Sequence, residues 1–563
     1  PNNHYFQVDM FLNDYKSKEV TVKMPVWAPG SYLVREFSKN VNLVKAYDEN
    51  GQELKVNKKT KNAWTIVRGK AKEIKVSYEV YAFELTVRTS FLDATHGFVS
   101  GTGVFMYTEE TKNKSGKLKV TPHESFKTIT TALPIAGEGV VNESTEYTFS
   151  DYDYLVDCPI EIGNQEVFHF DAAGVKHTVA MYGAGNYDVP TLQKDMAKIC
   201  EAATDIFGQN PNKDYTFIIH NVTQGQGGLE HINSTTLSVN RNTYQGSKYK
   251  SFLSLVAHEY FHLWNVKRIR PFELGPFNYD EENYTTLLWV AEGFTSYYDE
   301  LILLRAGYYD ANEYLGTLKS AINYVEATPG SRIQPVAHAS FDAWIKAYRT
   351  NENSANTTMT YYTRGGVIAA LMDAMIIEKT NAEKCLDHFL RHLYAKYFEK
   401  LGRGFTDVEF QKEFGDFLGA DVTAFFDDFV YGTKIPDYNA YFSKVGINVA
   451  NVGNAKPTLG AVVGANLVVR SVANDSSAEW AGLSPNDEII GVNGFRATKA
   501  VWDAQIAAMK VGGKVNILFS RDEVLMELTL TMKSAEKPEF EFSANQADKA
   551  VTLRNYWLRT VLD

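Results

Sequence analysis

The chain has 563 residues, 44% hydrophobic and 22% charged, with 39 Gly and 16 Pro. At roughly 150 residues per domain this is a folded chain of about three to four domains, which excludes a disordered, collagen-like or small disulfide-scaffold protein. Its 57 basic and 68 acidic residues sum to a net charge of −11, and no long Lys/Arg tract gathers positive charge, so nucleic acid is not an expected partner.

From His4 to about Gly163 short alternating segments such as 19–24 and 72–78 are divided by turn signals like Asp48-Glu49-Asn50-Gly51. They predict an all-β, sandwich-like domain over 1–165. Helical periods then dominate from about Leu192 to Tyr431, within a predicted domain over 166–450: Leu192 to Phe207, Ser251 to Val266, Leu287 to Arg305, Gly366 to Lys379 and Cys385 to Leu401. A strand at Tyr215 to Val222 interrupts them, followed by Gly225, Gly227 and Gly228. Strands at 467–472, 488–492, 514–519 and 525–531 predict a compact α+β module over 455–535, with 536–563 as an extended packing tail. Cys158, Cys200 and Cys385 are too few and too scattered for a disulfide framework or a four-thiolate zinc site, and read as small buried hydrophobes. No apolar run reaches the roughly 18 residues of a membrane span; the richest, Gly365 to Ile377, contains Asp373. The start at Pro1 points to a removed tag, leader or signal peptide. A soluble chain is expected, either cytoplasmic or periplasmic and exported.

The predicted helix Ser251 to Val266 is apolar nearly all round, yet it contains His258, Glu259 and His262. Burying three ionisable side chains costs several kcal/mol unless something satisfies them. Histidines at i and i+4 share one helical face, as two ligands of one metal must. His-Glu-x-x-His is the zinc-protease signature, with the Glu as general base beside an open coordination position. Two imidazoles, a carboxylate and one open position suit zinc.

Spacing and burial give different answers for the third ligand. Glu281 and Glu282 lie at the separations familiar from two-histidine, one-glutamate zinc peptidases, but in a polar, turn-like stretch. Glu292 is a lone carboxylate in the apolar run Leu287 to Phe294. A ligand needs a rigid, packed element, and a buried Glu needs a cation, which favours Glu292.

The segments His258 to Val266, Trp289 to Tyr298 and Gly227 to His231 resemble the glycyl aminopeptidase family, PDZ-bearing gluzincins related to the aminopeptidase N type. The resemblance covers nearly the whole chain and implies a thermolysin-like, mainly α zinc domain with Glu292 as third ligand. It also implies that Gly227 to Glu230 lies on an edge strand that pairs with substrate. Glu230 would take the free α-ammonium, with Gly227 and Gly228 allowing close approach of the peptide. His231 stands where the wider group has Asn. Tyr361-Tyr362-Thr363-Arg364-Gly365 resembles the Tyr-x-Lys-Gly segment that donates to the oxyanion; alignment on Arg364-Gly365 selects Tyr362, with Tyr361 as rival. Asp299 either accepts the second ring N–H of a ligand histidine or pairs with Arg305.

The stretch Ala478 to Gly494 resembles a PDZ domain, which captures an extended peptide at a sheet edge; the module either takes a peptide or protein ligand there or only packs against the catalytic domain. The expected whole is a zinc aminopeptidase, one ion per chain, cutting peptides with a free N-terminus and a small first residue such as Gly or Ala. The alternatives are an endopeptidase on the same site or a non-catalytic PDZ-type scaffold.

Overall fold

The structure, a computed structural model, describes residues 1–13, 15–137 and 144–559. These form two compact units interleaved along the chain: Pro1–Thr285 with Tyr298–Tyr309 and Leu390–Thr406, and Thr286–Tyr297 with Asp310–Phe389 and the chain from Asp407 onward.

The first unit opens with β structure, as the alternation predicts. Six antiparallel strands run in the order 5–13, 73–81, 41–48, 53–60, 63–67, 19–23. In Glu73–Tyr81 every second side chain, Ile74, Val76, Tyr78 and Val80, turns into the core. A five-stranded sheet carries Gly97–Val99 and Ile160–Gly163, whose apolar side chains join the same core. The polar stretch after Gly275 plugs onto this β domain. Tyr279 is buried in its core and donates to Asp153 at 2.6 Å, and Trp27 donates its indole N–H to the Asn278 carbonyl at 2.8 Å.

The unit's second half is a mixed sheet in the order 166–172, 175–182, 214–222, 234–240, 226–230. Gln226–Glu230 is its outer strand, antiparallel to Ser234–Asn240 with Glu230 opposite Thr235. Helices Val189–Phe207 and Gly246–Phe261 pack on one another and on this sheet. The helix expected at Ser251 to Val266 therefore starts five residues earlier and ends at Phe261. Its added first turn is exposed and polar, which hides it from an apolar pattern. Beyond Phe261 the chain stays buried but leaves the helix: Lys267 N–H reaches the His262 carbonyl, Val266 N–H reaches the Ile269 carbonyl, and Val266 adopts φ 96°. Burial continues there because these turn bonds replace the helical ones.

The predicted helix Leu287 to Arg305 contains a π turn at Trp289–Gly293, in the second unit, before the α-helix Phe294–Arg305 begins. That turn packs on helix Tyr361–Lys379 at backbone distance. A Cβ on Gly293 would stand 2.5 Å from the Gly365 Cα, and one on Gly365 would stand 2.6 Å from the Trp289 carbonyl oxygen. Asp373, which interrupts the longest apolar run, is buried and bonded: it accepts from Tyr297 at 2.6 Å and from the Leu386 N–H at 2.7 Å.

The module after Leu459 has its own core, including Val469, Ile489, Trp502 and Phe519. Asn356 ties it to the helical part of its unit, donating to the Val472 carbonyl at 2.8 Å and accepting from the Asn474 N–H at 3.1 Å. The tail is not merely extended. Phe540–Ala544 pairs with Ile447–Asn451, and Asp548–Leu558 is a helix whose Ala550, Leu553, Trp557 and Leu558 form a buried stripe at helical spacing. Trp557 donates to the Tyr297 hydroxyl at 2.9 Å. No helix among the described residues is long and apolar enough to cross a membrane.

Gly293→Ala forces a methyl group into the Gly365 backbone and is expected to cost about 1–3 kcal/mol. Thermal unfolding should show the lower midpoint, with Ser296→Ala on the neighbouring turn as the mild control.

Candidate active site

His258 and His262 lie on one face at the end of helix Gly246–Phe261, with ring centroids 4.8 Å apart. Each ring is held by its Nδ1. His258 Nδ1 is 2.9 Å from the Asp299 carboxylate, and His262 Nδ1 is 2.8 Å from the Asn265 carbonyl oxygen. A carbonyl or carboxylate accepts, so both Nδ1 atoms carry the proton and the lone pair of each ring is on Nε2. This is the protonation pattern of a metal-ligating histidine pair. The turn that ends the helix early supplies the Asn265 carbonyl. Of the two readings of Asp299, the acceptor for a histidine is the one observed. Burial raises the Asp299 pKa, and the His258 hydrogen bond opposes that rise. Phe261 stacks on Tyr298 at 4.6 Å and so fixes the helix against the turn carrying Asp299.

Glu230, Glu259 and His262 are brought together in the same unit, each offering one donor atom within 4.8 Å of the others, and all three are buried. Two glycines make room for the carboxylates. A Cβ on Gly228 would fall 2.3 Å from Glu259 Cδ, so the general-base candidate occupies the slot that this glycine leaves. The sequence assigns that space to the peptide. The second glycine, Gly30, went unnoticed in the sequence: at φ +81° its missing Cβ would lie 2.5 Å from Glu230 Oε1. Gly227 has φ 137° and open space around its Cβ direction, which leaves the outer strand accessible there. Arg88, also missed, donates to the Gly228 carbonyl at 3.2 Å. His231, in the place of the usual Asn, is taken by Asp157 at 3.0 Å.

Glu292, Tyr361 and Tyr362 belong to the second unit. Glu292 is 2% exposed on the π turn, a carboxylate in wholly apolar sequence surroundings. Its spacing rival Glu281 is exposed and accepts from the Asn278 side chain at 2.7 Å; Glu282 belongs to the same polar stretch. Tyr361 and Tyr362 form the first turn of helix Tyr361–Lys379, their rings 4.8 Å apart. Tyr361 is fully buried and Tyr362 half-buried. Arg364 donates to the Ser331 carbonyl at 2.7 Å and anchors that turn.

Three families match the chain in order: Peptidase M61 N-terminal domain over residues 1–164, M61 glycyl aminopeptidase over 251–368, and PDZ domain over 442–519. An aminopeptidase N family protein from Idiomarina loihiensis matches with 31% identity over 99% of this chain and 98% of its own, at a TM-score of 0.92. The chain belongs to the M61 glycyl aminopeptidase family. A comparison with curated proteins finds no match. An M1 zinc metallopeptidase from Deinococcus radiodurans, solved as a mutant with a Tyr-Ser-Ala substrate, shares the fold. The two match at 14% identity over 77% of this chain and 92% of its own, with a TM-score of 0.50. This M61 family member is thus a metallopeptidase of the aminopeptidase type, with an N-terminal β domain, a helical peptidase domain and a C-terminal PDZ domain.

A second His/Glu cluster in this M61 protein has different chemistry. His96, Glu161 and His220 are all 0% exposed, and both imidazoles contact the carboxylate directly, at 2.6 and 2.9 Å. The other ring atoms, His96 Nε2 and His220 Nδ1, are buried with no hydrogen-bond partner among the described residues. Were the inner nitrogens to bind a metal, both outer N–H groups would be buried without acceptors, so the cluster fits a hydrogen-bonded brace rather than a metal site. Burial accordingly raises the Glu161 pKa and lowers that of His220 to about 3.

Removing the acceptor of one histidine tests the difference. Asp299→Asn is expected to weaken metal retention about 10- to 100-fold, read by metal content against a graded chelator. Glu161→Gln should leave metal content unchanged while lowering stability.

Proposed function

We propose that the chain is a zinc-dependent aminopeptidase that removes small N-terminal residues, Gly or Ala, from peptides with a free amino terminus. The observation that carries this reading is the pair of imidazoles held through Nδ1 beside two buried carboxylates, Glu259 and Glu230. One zinc ion per chain would be held by His258, His262 and Glu292. Nitrogen and carboxylate donors with oriented second nitrogens fit that ion. A bound zinc ion supplies the positive charge that acidifies water and polarises a carbonyl.

The protein's own residues do the rest. The outer strand Gln226–Glu230 has one edge unpaired among the described residues and aligns an extended peptide by backbone hydrogen bonds. Glu230 takes the α-ammonium. Two carboxylates at this separation repel, and the ammonium relieves that repulsion, so a free N-terminus is favoured over a blocked one. Glu259 accepts a proton from the attacking water and returns it to the leaving amine. The Tyr362 hydroxyl, at the half-buried position of its turn, donates to the developing oxyanion.

The limits 1–165, 166–450, 455–535 and 536–563 describe the proposed division of labour. In the PDZ part the strand Ala461–Val463 pairs only with Val469–Val472 among the described residues, which supports capture of a peptide or protein ligand on its other edge.

Hydrolysis of Gly- and Ala-peptides is expected to fall about 10²- to 10⁴-fold in Glu259→Gln with metal content retained. Free-amine peptides should be preferred over N-acetylated ones by about 100-fold, and Glu230→Ala should abolish the preference. Equal hydrolysis of blocked and free peptides would replace this reading with an endopeptidase.

A further inference from the structure

A cavity of about 450 Å³ in the first unit is lined by Glu230, Gly30, Arg270 and Lys267 and by residues of the helix Tyr152–Val156. Its charged groups are mostly satisfied. Asp151 caps that helix, accepting from the Tyr154 N–H at 2.8 Å. Asp153 accepts from Tyr279 at 2.6 Å. Asp157 accepts from Lys267 at 2.8 Å, from His231 at 3.0 Å and from the Ile232 N–H at 2.9 Å. Two groups of opposite sign remain. Neither the Glu230 carboxylate, 5% exposed, nor the half-buried Arg270 guanidinium has a hydrogen-bonded or ion-paired partner among the described residues. Buried charges are ordinarily paired, so a cavity with one unpaired anion and one unpaired cation on its walls fits a ligand bearing both complements.

We infer that this cavity receives a carboxylate carried on the same molecule as the ammonium that Glu230 takes, with Arg270 as the group that binds it. The inference rests on the reading of Glu230 as the amine anchor and deepens it. A planar guanidinium matches a carboxylate through paired N–H donors; burial lowers the Arg270 pKa, and the charges of Asp153 and Asp157, neither hydrogen-bonded to it, oppose that shift only in part. The carboxylate has two chemical sources: the side chain of an N-terminal Asp or Glu, or the α-carboxylate of a released amino acid.

Calorimetric titration of the full-length holoenzyme with four small probes tests both ends. L-Glutamate carries every group, N-acetyl-L-glutamate lacks the ammonium, L-glutamine lacks the side-chain carboxylate, and L-glutamic acid α-amide lacks the α-carboxylate. L-Glutamate is expected to bind on the order of tenfold more tightly than N-acetyl-L-glutamate and than one of the two amides. Weak glutamine identifies an acidic N-terminal residue as the source, and a weak α-amide identifies the released product. Arg270→Gln should erase the difference between L-glutamate and the weaker amide, and Arg270→Lys, which keeps the charge, should restore part of it. Amides that both bind as tightly as L-glutamate, or a difference that survives in Arg270→Gln, overturn the proposal. N-acetyl-L-glutamate binding as tightly as L-glutamate overturns instead the amine anchor beneath it.

Discussion

Two hydrogen bonds of about 2.8–2.9 Å decide what this molecule can do: His258 Nδ1 to Asp299 and His262 Nδ1 to the Asn265 carbonyl. Without them each imidazole has two equivalent tautomers and a rotatable ring. With them both rings present the same nitrogen from the same helical face, and Glu259, the proposed general base, lies beside His262. The early end of the helix at Phe261 serves this purpose. The same residues packed as a hydrogen-bonded brace, as in His96–Glu161–His220, show what a histidine–glutamate cluster looks like when that outer bonding is missing.

Around these rings the backbone carries much of the precision. Gly228 yields its side-chain volume to Glu259, Gly30 yields its own to Glu230, and Gly293 and Gly365 let the π turn with Glu292 cross the helix that begins at Tyr361. A β-carbon at any of these positions meets either a functional carboxylate or main chain. Glycine therefore sets carboxylate positions here, whereas in turns it serves to relieve strain.

Much of this was legible in the sequence. The β alternation of residues 73–81, the buried helix with His-Glu-x-x-His, and the PDZ strands near 488–492 all follow from period and composition, because each buries one face. The preference for Glu292 over Glu281 also followed from burial, and the structure has Glu292 buried and Glu281 exposed and bonded to Asn278. What escaped was non-local or non-periodic. The π turn inserts its extra residue without changing composition. The buried turn after Phe261 has no Gly or Pro to mark it, and Leu263 and Trp264 continue the apolar run. The fit of Gly30 to Glu230 joins positions 200 residues apart, and the helix Asp548–Leu558 was masked by charged residues on its outer face.

The most direct test of the metal centre is anomalous diffraction at the zinc edge from crystals grown of chelator-free protein. One peak per chain beside Nε2 of His258 and His262 is the predicted result. No peak at that position, or a peak at His96, Glu161 and His220 in its place, would contradict the assignment of the imidazole pair as ligands.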